Sequence, residues 1–368
     1  MNTKGLTIPS KDGYSMPAEF SEHEATILIW PERPGSWKNN AAQAQRDFAV
    51  IAEILLASER VFVLVNPGKE KPAKAKLPHG AELLVIPSDD AWARDTAPTF
   101  VKNKAGNVRG VNWCFNAWGG TFDGLYADWE RDNALAEAFC RAAGYKMYDA
   151  SPFVLEGGSI HSDGEGTLLT TECCLLSKGR NPHMTKPEIE EKLCSYTGAQ
   201  KIIWLPGGIF NDETNGHVDN IACFTKPGEA VLAWTDNKSD PQYCLSSACL
   251  KAFENSTDAA SRKIKVHKLP IPEHPVTITE EDMQGFTFEP GEDMREIGER
   301  LAASYVNFYF ANKAVLVPQF GGKNADSDKE ALNILKKLCP GREVIGIYAR
   351  NILCGGGNIH CITQQIPK

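Results

Sequence analysis

The feature that most restricts this chain is a pattern it repeats: a run of β-formers, a short turn rich in Gly, Asn or Asp, and a second run of β-formers. It occurs in DTAPTFVKNKAGNVRGVNW from Asp95, GGSIHSDGEGTLLTT from Gly157, HVDNIACFTKPGEAVLAW from His217 and YVNFYFANKAVLVPQF from Tyr305. Such runs, bounded by such turns, predict four β-hairpins. Between them lie segments whose apolar residues fall near a 3.6-residue period, at 132–144, 186–198 and 326–341, which predicts helices. Each helix runs into an extended piece: KIIWLP from 201, KIKVHKLP from 263 and REVIGIY from 342. The unit is therefore hairpin, helix, strand, and a repeat of this kind bears on the whole fold rather than one part of it.

A fifth copy is split between the two ends. SEHEATILIW at 21–30 resembles a hairpin's second strand without its first, and GGNIHCITQQ near the C-terminus resembles a first strand without its second. Pairing of the two would close a ring and protect sheet edges, as radial β-architectures do. The expectation is an α/β fold in which residues 1–368 form a single domain. Residues 235–300 are the least regular, with PIPEHP and FEPGEDM among them, and read as an insertion, either a lid or a passive surface excursion.

Several functions are disfavoured by composition. The net charge is −8, and the most basic stretch is the short KEKPAKAK at 69–76, so nucleic acid is not expected as a partner. An acidic balance suits a cationic ligand, but moderately acidic cytosolic proteins are common, and on charge alone the bland reading prevails. Eleven cysteines occur without a C-x-x-C pair, which suggests neither a disulfide framework nor a zinc ribbon and predicts a reducing, cytoplasmic setting. No apolar stretch approaches the roughly 20 residues of a membrane span, and the first residues lack a signal-peptide core. There is no G-x-S-x-G, H-E-x-x-H, G-x-G-x-x-G or Walker motif, and GGKN at 321–324 lacks the Ser or Thr after its Lys. The eight histidines show no ligand spacing, so a metal is not expected.

What remains lies mostly where a hairpin's first strand begins: Asp95 in WARDTAP, Glu156 in LEGGSIH, His217 and Asp219 in NGHVDN, and Cys361 in GGGNIHC. In a ring of repeats, equivalent ends converge. A spacing of two would put His217 and Asp219 on one side of a strand, and the adjacent glycines permit close backbone approach. Buried carboxylates repel unless a cation joins them, and a planar guanidinium matches carboxylates in bidentate fashion. A thiol beside such a group has an electrophilic carbon to attack. The expected ligand is therefore a guanidinium, which would also help to ionise the thiol.

At this level of detail the chain resembles the agmatine deiminases of the guanidino-group-modifying (pentein) superfamily, through RDTAPTFV, NWCFNAWGG, FVLEGGSIHSDGEGTLLTTE, GRNP, LPGGI, DETNGHVDN, LAASYVNFY and GGGNIHCITQQ. The resemblance implies a five-bladed α/β propeller and, through the family alone, a homo-oligomer. It implies Cys361 as nucleophile and His217 as general acid and base. Asp95 and Asp219 would hold the guanidinium nitrogens, with Glu156 orienting His217 and contacting the guanidinium side. Agmatine would pass through an S-alkylthiouronium to N-carbamoylputrescine and ammonia, with no cofactor. Two departures from the family pattern, Ala93 and Ala97, bear on the pocket wall. Trp92 reads as core, with stacking on the substrate's alkyl chain as the functional alternative.

The bland readings are a buried structural thiol for Cys361 and turn or cap residues for Asp95 and Asp219; together at matching repeat positions, the five favour function. Cys354 reads as structural and His161 is unassigned. His360 in an extended segment would point away from the side of Cys361. Two other activities compete: a peptidylarginine deiminase acting on protein or peptide arginine, and a non-catalytic pentein, which should lack this residue set.

Overall fold

The computed structural model describes residues 7–290, 292 and 294–368; Gly291 and Asp293 of FEPGEDM thus lie outside the described residues. The chain is an α/β protein whose described strands form five separate sheets. Each hairpin read in the sequence is an antiparallel pair: Thr99–Asn103 with Val108–Cys114, His161–Ser162 with Thr167–Thr171, Ala222–Lys226 with Glu229–Trp234, and Tyr309–Phe310 with Ala314–Gln319. A third strand then lies parallel to the second: Lys146–Val154, Lys201–Leu205, Lys265–Pro270 and Glu343–Tyr348 in turn. A parallel return needs a crossover, and helices Glu130–Ala143, Lys186–Thr197, Pro241–Glu254 and Ala325–Leu338 supply it.

The fifth sheet joins the two ends of the chain. His23–Ile29 pairs in parallel with Arg60–Val65 across helix Ala42–Leu56, and in antiparallel with the C-terminal strand Gln364–Pro367, with Ile366 opposite Ala25. The middle strands of the sheets explain their sequences. RVFVLV, EAVLAW and AVLVPQ are buried along almost their whole length, because helices cover one face and the body of the protein covers the other; such strands read as continuous apolar runs. Helix Ala42–Leu56 buries Phe48, Ile51, Ala52 and Leu55, one stripe at helical spacing. Helix Pro241–Glu254 begins where Asp240 accepts the Gln242 backbone N–H and Pro241 occupies the first turn, a position at which the missing proline N–H costs nothing. No helix among the described residues is long and apolar enough to cross a membrane.

Three local expectations differ from the structure. GGNIHCITQQ is strand only from Gln364; the residues before it are turns. Asp95 lies in a four-residue helix, Ala93–Thr96, and Asp219 in another, Val218–Ile221, with His217 capping the latter. Two-residue spacing there does not carry the strand meaning, because the chain makes one helical turn before entering each hairpin. Within 235–300, helix Pro241–Glu254 and strand Lys265–Pro270 belong to the third sheet, so the irregular part is 271–300. It holds the short helix Glu280–Gly285 and one isolated bridge between Thr277 and Arg300.

Ile366 is fully buried in the strand that joins the ends. Ile366→Ala is expected to lower unfolding stability by about 2–5 kcal/mol, seen as a fall in the urea midpoint at unchanged slope. An unchanged midpoint would mean that the terminal strand is not docked in solution.

Candidate active site

The segments that precede the hairpins' first strands meet at one end of the sheets, and each of the five copies brings a side chain there. Asp95 comes from the helical turn after Trp92, and Glu156 from the residue before a 3₁₀ turn, Gly157–Ser159. His217 and Asp219 come from the turn before Ala222, and Cys361 from the turn before Gln364. The fourth copy supplies Asn307, just before Tyr309. Sequence reading gave that copy no residue, although the repeat itself calls for one at this place.

Asp95, His217 and Asp219 crowd around Gly158. A Cβ built on Gly158 would stand 2.6 Å from His217 Nδ1, 2.9 Å from Asp219 Oδ2 and 3.0 Å from Asp95 Oδ1, so only glycine lets the three approach this closely. The Gly158 N–H donates to Asp95 Oδ1 at 2.8 Å, and Trp118 Nε1 donates to Asp95 Oδ2 at 2.8 Å. Cys361 Sγ lies 3.7 Å from Asp219 Oδ2, and Asn307 Nδ2 lies 3.3 Å from the sulfur. The Arg94 N–H donates to the Cys361 carbonyl at 3.0 Å, which ties the C-terminal turn to the Asp95 turn. A Cβ on Gly357 would stand 2.4 Å from the Trp92 ring and 3.0 Å from Cys361 Cβ; Trp92 therefore flanks the thiol, while its Nε1 donates to Asp90.

The sulfur and the imidazole open on the same cleft, of about 780 Å³, which Trp92, Asp95, His217 and Cys361 help to line, with Asp219 and Glu156 behind them and not among its lining residues. Its outer wall carries Glu213 and, from the irregular segment, Glu292 and Arg295. Arg295 is ion-paired with Glu213, and Arg33 meets Glu292 at 2.5 Å. Ala93 and Ala97 are buried and are not among the residues lining the cleft.

Burial raises the proton affinity of every acid here, and specific partners decide which stay ionised. Burial pushes Asp95 up despite His217 beside it, because Asp219 and Glu156 add like charge. Glu156 is driven up by burial and brought below its ordinary value by Arg180, whose Nε is 2.6 Å away. Burial also raises Asp219, and His360, bonded at 2.8 Å, more than offsets it. His217 is pulled down by burial and lifted well above the ordinary histidine value, chiefly by Asp95, with its Nδ1 3.9 Å from Asp95 and its Nε2 3.8 Å from Glu156. Cys361 is pushed well above an ordinary thiol by burial and by the charges of Asp219 and Asp95.

Glu156, Cys174 and His217 bring their donor atoms within 4.8 Å of one another, a set that could in principle grip a metal ion. Arg180 already sits 2.6 Å from Glu156, so a metal would be placed next to a guanidinium in a medium of low dielectric, where like charges repel strongly. The trio is better suited to its ion pair.

The sequence reading missed Asn307, Arg180, Glu19 and the position of His360. Arg180 stands in GRNP and Asn307 in LAASYVNFY, motifs that carried the family resemblance without roles. His360 does not face away from the site: in a turn, both it and Cys361 reach Asp219 Oδ2.

The family described as Porphyromonas-type peptidyl-arginine deiminase matches residues 15–367. A Selenomonas ruminantium protein, provisionally named an agmatine deiminase, is 55% identical over 98% of this chain and 97% of its own length. The structure of an Enterococcus faecalis agmatine deiminase, described as catalysing its reaction, superposes with a TM-score of 0.95 at 41% identity, covering 99% of this chain and 98% of that one. A Cys-to-Ser variant of a C. jejuni agmatine deiminase, solved with substrate bound, superposes at 0.80 with 26% identity over 96% of each chain. The chain therefore belongs to the agmatine deiminases, within the Porphyromonas-type peptidyl-arginine deiminase family.

Proposed function

We propose that this protein hydrolyses the guanidinium of agmatine to N-carbamoylputrescine and ammonia, with Cys361 as nucleophile, His217 as general acid and base, Asp95 and Asp219 as guanidinium ligands, and Glu156 orienting His217. The observation that carries the reading is the meeting of a thiol, the Asp95 carboxylate and an imidazole on one cleft, with the Asp219 carboxylate 3.7 Å from the sulfur. A guanidinium between Asp95 and Asp219 presents its carbon to the sulfur. Trp92 offers its face to the alkyl chain.

Charge explains the order of events. The charges of Asp219 and Asp95 keep the proton on the Cys361 thiol, while Arg180 answers Glu156 and His217 is protonated. A bound guanidinium adds one positive charge beside those carboxylates, and release of the Cys361 proton to solvent in the open cleft offsets it, so substrate brings the thiolate into being. The thiolate forms a C–S bond, and His217 gives its proton to the departing nitrogen, which leaves as ammonia. Neutral His217 then takes a proton from the water that attacks the S-alkylthiouronium, and the C–S bond breaks as the urea forms. No step calls for a cofactor.

The agmatine deiminase names of the relatives favour the small free amine over peptide arginine, as does a cleft roofed in part by Glu292 and Arg295. We read 271–300 as its cover. The same reading takes the five sheets, joined end to end by strand Gln364–Pro367, as blades of one propeller domain. It also takes the chain as a cytoplasmic homo-oligomer; the eleven unpaired cysteines support a reducing compartment.

Cys361→Ala is expected to reduce ammonia release by roughly 10⁴-fold or more while agmatine binding by calorimetry survives, and His217→Ala should be similarly inactive; full activity in either would remove the mechanism. Gly158→Ala should fold, as judged by circular dichroism, yet lose roughly 10²-fold in kcat/KM by displacing Asp95, His217 and Asp219. Ammonia release measured from agmatine, free arginine and a blocked arginine peptide should favour agmatine. Preference for the peptide would overturn the substrate assignment.

A further inference from the structure

Both nitrogens of the buried His360 ring face carboxylate oxygens. Nδ1 is 2.8 Å from Asp219 Oδ2, and Nε2 is 2.6 Å from Glu19 Oε2. A neutral imidazole has one N–H and one lone pair, so it would satisfy one oxygen and set a lone pair against the other; an imidazolium donates to both. A protonated carboxyl could repair the mismatch at Glu19, but that group is already surrounded by donors. Arg94 Nη2 lies 3.4 Å from the same Oε2, and the Phe310 N–H donates to Oε1 at 3.0 Å. Donors on both oxygens favour the carboxylate.

We infer that His360 is a positioning residue of this site: a resident imidazolium that bridges Asp219 to Glu19, keeps Asp219 ionised before substrate arrives and holds its carboxylate beside Cys361. The inference rests on the role proposed above for Asp219, and goes beyond it by assigning a second histidine that does not exchange protons with the substrate.

The surroundings of the ring agree. Burial and the Arg94 charge pull His360 down, and Glu19 and Asp219 outweigh them, leaving it above the ordinary histidine value. His161, with its ring centroid 6.4 Å away, is held down to about 4 by burial, so it is neutral and does not repel the imidazolium. Cys223, 3.2 Å from His161, is a neutral thiol pushed up by burial. The other neighbours are Cys361, next in sequence, and Asn307, whose Oδ1 accepts the His360 backbone N–H at 3.0 Å. A cation fixed between two carboxylates on a backbone anchored to Asn307 has little freedom to move, and Asp219 inherits that rigidity.

The sign of the effect is fixed by the charge. His360 holds Asp219 below its ordinary value. Without the cation that value rises, and Asp219 is neutralised at a higher pH as pH falls. The acid limb of kcat/KM for agmatine in His360→Gln should therefore move to higher pH by about one to three units. A limb that stays in place, with activity lowered evenly across pH, would overturn the inference. Neutron diffraction from crystals of the unsubstituted protein at pD 8 decides independently of any variant's folding: deuterium on both ring nitrogens of His360 is expected, and a ring carrying one overturns it. An inactive Cys361→Ala together with a singly protonated His360 would leave the reaction standing and remove only this inference, whereas a fully active Cys361→Ala would remove the reaction itself.

Discussion

Four carboxylates buried in one small region are the condition to which the rest of this structure answers. Glu19, Asp95, Glu156 and Asp219 are each under a tenth exposed, and their mutual repulsion in a poorly polarisable interior would expel or protonate them unless cations were built in among them. The chain builds them in. Arg180 meets Glu156, Arg94 approaches Glu19, and His360 lies between Glu19 and Asp219. Asp95 has no arginine of its own; it holds two neutral donors and the nearby imidazole of His217. It is accordingly the one of these four carboxylates whose proton affinity ends above its ordinary value, and the place where an incoming cation has most to offset.

Holding these groups at short range is the work of backbone rather than of the side chains themselves. Each carboxylate comes from a turn or short helical turn shortly before a strand, so each is anchored by a sheet on one side. Gly158 stands where any side chain would meet three of them. The hydrogen bond from Arg94 to the Cys361 carbonyl and the pairing of Gln364–Pro367 with His23–Ile29 fix the thiol relative to Asp95, although the two are far apart in sequence. Strain or slippage in the terminal strand would thus be felt at the sulfur, and packing far from the cleft contributes to chemistry inside it.

How much of this was legible from the residues varied with the length scale. The hairpins, crossover helices and parallel returns were legible because periodicity is a local property that burial imposes on sequence. The direction of individual side chains was not. Reading GGNIHCITQQ as a strand sent His360 away from Cys361, whereas a turn lets both reach Asp219; a single dihedral change between extended and turned backbone reverses the outcome. Asn307 was within reach of the repeat argument, since the other four copies gave a residue at the equivalent place and the fourth was owed one. Arg180 and Glu19 were not, because an arginine in a loop and a glutamate near the N-terminus carry no local mark of the partner each will meet.

The sequence by itself determined the repeated unit, the match between the two ends of the chain and the set of residue types from which a guanidinium site can be made, since each of these follows from composition and spacing along the chain. Tertiary structure alone decided which charges are neighbours. Proton affinities, the placing of Arg180 beside Glu156 rather than in solvent, and the enclosure of His360 between two carboxylates depend on distances of a few ångströms between segments up to 341 residues apart, and Coulomb energy in a buried site varies steeply over that range.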